Sequence, residues 1–278
     1  MRKLRKKYFK DDNLKMNLHL YQSTFTNESK VLREAYAISK TKLFSEIILV
    51  GIKDKNLLDL EQISKNIKIM RVSSLYQGNN LFIKAMSFLL WNIRIFFIFF
   101  NKKISCLSVH SLNCLPLACL LKFISKSKII YVPHELETER NGLNNTSRKL
   151  SRIFENFLIK YVYGTIFISH SYQSWYKNKY YLLNTEVIYN CPLQINYLKS
   201  DIFRDKFNLD HKQIIFLYQG ILTKGRGIYT LIDTFKTLSD KFCLVFLGYG
   251  PLEDYVIKKS LKIKNIFYHP AVKPEVLL

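Results

Sequence analysis

The chain has 278 residues, 48% of them hydrophobic, and a formal net charge of +22. That length and apolar content exclude a disordered chain and provide for about two domains with sizeable cores. The positive excess favours a polyanionic surface, either nucleic acid or an anionic membrane, unless it only reflects the lysine bias of an AT-rich coding sequence. No nucleic-acid-binding motif accompanies it, so no nucleic-acid partner is expected.

Cys106, Cys114, Cys119, Cys191 and Cys243 form an odd set without a CxxC pair. They read as free thiols, mostly buried, in a reducing compartment, rather than as a disulfide framework or a zinc site. The basic N-terminus lacks a following apolar stretch, so no signal peptide is expected.

In chain order, Leu18 to Tyr21 is a short strand. Asn27 or Ser29 is a candidate cap for a helix with Val31, Leu32, Ala35, Tyr36 and Ile38 at helical spacing. Ile47 to Val50 and Ile67 to Val72 are buried strands, an order that points to a parallel sheet with crossover helices. Leu81 to Phe100 is the most apolar segment, but Asn92 and Arg94 lie near its middle. A central Arg costs about 3 kcal/mol or more in hydrocarbon, so a core helix or a helix lying on a membrane fits better than a span.

Ile104 to Val109 is a strand ending at His110, and Lys128 to Val132 another. The second ends in the polar cluster from Pro133 to Gly142, with His134 followed by Glu135. It is not a zinc-protease signature, because Thr138 stands where the second His of HExxH belongs. Asn144 to Ser147 caps a helix whose apolar face carries Leu150, Ile153, Phe154, Phe157, Leu158, Tyr161 and Val162. Its opposite face is basic. Strand Thr165 to Ile168, helix Tyr172 to Tyr180 and strand Glu186 to Tyr189 follow. Pro192 and the polar stretch beyond it place a boundary between a first domain, 1–192, and a second, 193–278.

The second domain opens with the most informative stretch. A strand of buried type, Ile214 to Tyr218, stops at Gly220 and gives way to Thr223-Lys224-Gly225-Arg226-Gly227. A helix with Ile228, Leu231, Ile232 and Phe235 on one face comes next, and then strand Cys243 to Leu247, closed by Gly248-Tyr249-Gly250-Pro251. Loops at the carboxyl ends of parallel strands are where ligands sit in open α/β sheets. Glycines let a phosphate approach the backbone, and Lys224 and Arg226 add positive charge, so an anionic ligand is expected there. Ordinary βα turns that need φ > 0 remain the alternative for the glycines.

Two α/β domains, the second opening on a basic glycine loop, resemble the family 4 (group 1) glycosyltransferases of GT-B fold from about Leu18 to Leu278. The resemblance rests on 28–35 at the first helix, 133–142, 187–192, 218–227, 247–251 and 267–272, in that order and spacing. It implies an α/β chain of two Rossmann-like domains, the second incomplete. It also implies transfer of a sugar, with retention, from a nucleotide diphosphate sugar to an acceptor of cell-surface glycan or lipid-linked oligosaccharide synthesis. Lys224 matches the family's diphosphate-binding lysine, Gly248 and Gly250 its nucleotide loop, and His134 the histidine in the cleft of the acceptor domain. Glu135 and Arg94 are assigned to the acceptor and membrane side. No cofactor and no metal motif are expected.

The sequence departs from the family's pattern in three places. Gln219 replaces an arginine five residues before Lys224. Ser23 to Asn27 lacks the usual glycines. The E-x7-E segment that grips donor sugar and ribose lies downstream of Leu278 in the family's order. Two readings follow: an enzyme, truncated or completed by a chain carrying that segment, or a non-catalytic remnant that binds membrane or a partner. The expected location is cytoplasmic and peripheral on an anionic membrane.

Overall fold

A computed structural model describes residues 15–26, 28–74, 81–140, 142–182, 184–191 and 201–272. The chain divides into two compact units, Met1–Cys191 and Pro192–Leu278.

The first unit is built on one eight-stranded sheet. Its strands are β1 (Met16–Leu20), β2 (Glu46–Ile52), β3 (Leu60–Ser64), β4 (Ile67–Val72), β5 (Ile104–Val109), β6 (Lys128–Tyr131), β7 (Gly164–Phe167) and β8 (Thr185–Val187), in the order β3-β4-β2-β1-β5-β6-β7-β8. All neighbours pair in parallel except β3, which runs antiparallel to β4 along the edge. That strand is absent from the sequence reading, because its alternation Leu-Glu-Gln-Ile-Ser lacks a continuous apolar run.

The central strands are apolar at successive positions because both their faces are covered. Helix α1 (Ser29–Lys40) lies on one face, where Val31 and Ala35 pack on Ile47, Leu49, Ile67 and Ile69. On the other face, Ile48 and Val50 join a core with α2 (Leu81–Phe99), α3 (Leu115–Ser125), α4 (Asn145–Leu158) and α5 (His170–Lys179). Glu28 occupies the N-cap of α1 without a side-chain cap bond, and Asn27 lies outside the described residues. The caps of α4 and α5 are made: Asn144 and Ser169 accept from the backbone N–H of Ser147 and Tyr172.

The apolar segment from Leu81 forms helix α2, which buries Trp91, Ile95, Ile98 and Phe99 against the sheet and leaves Leu89, Ile93 and Phe97 outward. Trp91 Nε1 donates to the Gly51 carbonyl at 3.2 Å. Among the described residues, no helix is long and apolar enough to cross a membrane.

The apolar face expected to bury α4 is exposed. Leu150, Ile153, Phe154 and Phe157 face solvent, and the residues turned inward are Glu155 and Leu158. The physical cause is the Glu155 carboxylate, which accepts from three buried phenols: Tyr131 at 3.0 Å, Tyr176 at 3.0 Å and Tyr180 at 2.6 Å. A carboxylate with three donors is satisfied inside, so the rotation of α4 that buries it is tenable.

The second unit holds α6 (Ile202–Phe207), β9 (Ile214–Ile221), α7 (Ile228–Thr237), β10 (Phe242–Tyr249), α8 (Glu253–Ser260) and β11 (Ile266–Pro270), with the parallel sheet order β11-β10-β9. Strand β10 is buried from Cys243 to Gly248 and carries the core with Ile228, Ile232, Phe235 and Val256. The expectation that β9 is a buried strand is corrected: it lies at the sheet edge and leaves Ile214, Phe216, Leu217 and Ile221 exposed. Of the cysteines, all free, Cys114, Cys119 and Cys243 are buried, Cys106 is half-buried and Cys191 is exposed.

Candidate functional site

In the first unit, polar groups gather at the carboxyl edge of the sheet, where open α/β sheets place their ligands. His19 is on β1, His110 follows β5, and His134 lies beyond β6. Their rings form a chain: His19 Nδ1 lies 2.9 Å from His110 Nε2, and His110 Nδ1 lies 3.2 Å from His134 Nε2. Tyr21 packs edge-on to His110 and tilted over His134, with centroids 6.0 and 5.2 Å away.

All three imidazoles are held neutral. Burial pushes His19 down to about 3 and His110 well below its ordinary value. Burial, with the charges of Lys30 and Arg140, takes His134 down to about 3. Glu34 on α1 places Oε2 3.7 Å from His110 Nδ1, and burial pushes its carboxyl up to about 7. With His110 held neutral, the contact is not an ion pair.

The proton positions follow from one orphan atom. His19 Nε2 is buried without a partner. A bare lone pair there is tolerated more readily than a buried N–H, so His19 carries its proton on Nδ1 and donates to His110. His110 then donates from Nδ1 to His134 Nε2, which leaves the proton of neutral His134 on Nδ1. The chain therefore fixes the tautomer of its most exposed member, whose free face offers a donor.

Around it, Glu135 is exposed and lies 3.5 Å from Arg140 Nε. Arg140 also bonds Glu137 at 2.6 Å, and Glu137 Oε2 accepts from the Leu112 N–H at 3.0 Å. Burial pushes Glu137 up to about 6. The donor atoms of His19, Glu34 and His110 lie within 4.8 Å of one another, a grouping a metal ion could use, though His19 Nδ1 and His110 Nε2 are already engaged. Arg94 lies elsewhere, on α2, where Nη1 donates to the Ser73 carbonyl and hydroxyl, each at 2.7 Å. It holds Ser73, next after β4.

In the second unit, the loop from β9 to α7 exposes Lys224 and Arg226. Among the described residues, neither makes an ion pair. Gly227 is the N-cap of α7, so the first N–H groups of that helix point out beside both cations. Gly225 and Gly227 have φ of +83° and +74°, and a Cβ at either would meet nothing within 4 Å. They are glycines for backbone conformation. Gly248 differs: its Cβ would lie 1.9 Å from the carbonyl oxygen of Gly220, its register partner on β9. A Cβ on Gly250 would lie 2.6 Å from the Leu222 carbonyl. Gly248 and Gly250 are thus needed for the close approach of two strand exits, before any ligand is considered, whereas Gly220, with a φ of +147° and room for a Cβ, is a glycine for backbone conformation. Gln219 is exposed on β9.

Lys224, Arg226, Gly220, Gly225, Gly248 and Gly250 thus gather in the second unit, and His134 and Glu135 in the first. His19, His110, Glu34 and Tyr21 are site residues the sequence reading missed. The available signal was the placement of His19 and His110 at the ends of neighbouring strands.

No family profile matches the chain, and no curated protein does. Solved structures do. Sucrose-phosphate synthase from Thermosynechococcus elongatus matches with a TM-score of 0.71 at 12% identity, over 94% of this chain and 71% of that one. Anabaena HepE in complex with UDP and glucose matches with a TM-score of 0.64 at 15% identity, over 93% and 70%. The lipopolysaccharide outer core galactosyltransferase WaaB matches with a TM-score of 0.60 at 13% identity, over 94% and 69%. At such identities the likeness defines the fold: an α/β chain with a large, mostly parallel sheet and a second parallel sheet, as in GT-B glycosyltransferases.

Proposed function

We propose that the chain is a glycosyltransferase that takes a sugar from a nucleotide diphosphate sugar and passes it, with retention, to a cell-surface or lipid-linked glycan acceptor. The observation that carries this reading is the loop between β9 and α7. Two exposed cations flank a helix N-terminus at the carboxyl end of a parallel strand, in a fold shared with HepE, a protein solved with UDP-glucose. Lys224 and Arg226 stabilise the departing diphosphate as negative charge builds on it, and the N–H groups of α7 add to that field. His134, neutral and donating from Nδ1, holds a sugar hydroxyl without competing for the proton of the attacking acceptor. Glu135 lies on the acceptor side.

The open edge of β9 favours a second feature of this reading. In the doubly wound order 3-2-1-4-5-6, β11-β10-β9 are strands 3, 2 and 1, so the next strand belongs beside β9. A segment carrying E-x7-E would pair there, cover the exposed Phe216 and Leu217 and complete the donor site. Peripheral attachment of the basic first unit to an anionic cytoplasmic membrane, near lipid-linked acceptors, belongs to the same proposal.

The test is release of nucleoside diphosphate from nucleotide sugars by the purified chain. Lys224→Ala is expected to reduce it by about 100-fold or more. Absence of donor binding by calorimetry across common nucleotide sugars would refute catalysis by this chain alone.

A further inference from the structure

Helices α3 and α4 pack side by side over the sheet, yet their outward faces are apolar. Leu120 and Phe123 on α3 and Leu150, Ile153, Phe154 and Phe157 on α4 are all exposed, Phe123 at 66% and Leu150 at 62%. The two faces join across the seam. Tyr161 lies 5.6 Å from the Phe123 ring and 5.8 Å from the Phe157 ring, and Lys122 Nζ donates to its carbonyl at 2.6 Å. So many large apolar side chains on one face mark a contact surface.

Its charge selects the partner. Helix α3 contains no acidic residue, and the only one in α4 is the buried Glu155. Exposed Lys126, Lys149 and Lys160 surround the apolar side chains. A second copy docking through this face would oppose lysine to lysine. An anionic bilayer accepts the apolar side chains into its acyl boundary and the lysines at its head groups.

We propose that the α3–α4 face inserts into the surface of an anionic lipid bilayer, with Phe123 and Phe157 as its deepest side chains. The inference rests on the peripheral attachment proposed above and assigns it to a surface other than the α2 segment with Arg94. The face leaves the polar carboxyl edge of the first unit uncovered by the bilayer. Both helices run back from the carboxyl edge of the sheet, so Phe123 and Phe157, near their C-termini, lie toward the edge opposite His134.

The experiment is flotation of the full chain with vesicles of phosphatidylglycerol in phosphatidylcholine and with phosphatidylcholine alone. The wild type is expected to float with the anionic vesicles. The double variant Phe123→Ser/Phe157→Ser is expected to partition about tenfold less or weaker, with unchanged circular dichroism because both sites are exposed. Phe157→Trp is expected to gain blue-shifted emission on binding, read against the wild-type signal. Unchanged flotation of the double variant, or no emission shift in bound Phe157→Trp, overturns the assignment of the face. A wild-type dimer that the double variant converts to monomer overturns it in favour of a second copy. Failure of the wild type to float overturns membrane attachment altogether, while the Lys224→Ala assay judges the transferase reading separately.

Discussion

Replacing Glu34 by Gln is expected to stabilise the first unit by about 3 kcal/mol at pH 7.5 but by only about 1 kcal/mol at pH 5.5. The carboxyl of Glu34 is pushed up to about 7 by burial, whereas an unfolded Glu titrates near 4.5. A folded pKa raised above the unfolded one means stability present below the unfolded value and lost as pH rises through the folded one. The penalty is therefore nearly complete at pH 7.5 and less than half developed at pH 5.5. The histidines act in the opposite direction. His19 and His134, each held down to about 3, and His110 bind protons only on unfolding, so each costs about 1.4 kcal/mol by pH 5.5. Glu137, raised to about 6, returns a little under 1 kcal/mol over the same range. The variant then loses about 2 kcal/mol more on acidification than the wild type. Urea titrations at the two pH values, followed by tryptophan fluorescence, provide the readout. Both tryptophans of the chain, Trp91 and Trp175, lie in the first unit. An advantage of Glu34→Gln that is the same at both pH values, within about 0.5 kcal/mol, would show that Glu34 keeps an ordinary carboxyl pKa inside the fold and that burial does not raise it as described.

Gly248→Ala is expected to destabilise the second unit by about 3 kcal/mol or more, because its methyl would lie 1.9 Å from the Gly220 carbonyl. Gly225→Ala, with open space but a φ of +83°, is expected to cost only about 1 kcal/mol; equal thermal shifts in the two variants would contradict this. Asn144→Ala removes the bond from the Ser147 N–H and is expected to cost about 1 kcal/mol in chemical denaturation.

Much of the architecture was legible because parallel strands buried on both faces leave continuous apolar runs, as at Ile47–Val50, and because Asn144 marks a helix start. The glycine loop around Lys224 was legible for a similar reason, since turn chemistry is local. What stayed hidden is non-local. The histidine chain depends on the lateral order β1-β5-β6, which brings His19, His110 and His134 together across more than a hundred residues of sequence. Each histidine alone reads as an ordinary polar residue at a strand end. The apolar content of β9 suggested burial, but a strand's position in its sheet depends on its partners, and among the described residues β9 pairs on one side only.

Helix α4 shows most clearly where periodicity misleads. Its apolar spacing predicts a core face of Leu150, Ile153, Phe154, Phe157, Leu158, Tyr161 and Val162, of which Leu158 is buried, yet the helix turns Glu155 inward toward Tyr131, Tyr176 and Tyr180. If those bonds hold the rotation, Glu155→Ala leaves three buried hydroxyls without an acceptor and opens a void, a loss of about 4 kcal/mol or more. Glu155→Gln keeps an acceptor oxygen that serves at most two of the three phenols and is expected to cost about half as much. Burial and the neighbouring carboxylate raise the phenols well above their ordinary range, so they remain donors throughout the accessible pH range. Glu155→Leu separates packing from rotation. If α4 were free to turn its apolar face inward, a leucine would be tolerated and the exposed phenylalanines would become protected from solvent. If the tyrosines depend on the carboxylate, the variant loses stability like Glu155→Ala, and Phe154 and Phe157 stay accessible. Denaturation midpoints with hydrogen exchange of the α4 amides decide between these, and a stable Glu155→Leu with a protected α4 would refute the role assigned to the carboxylate.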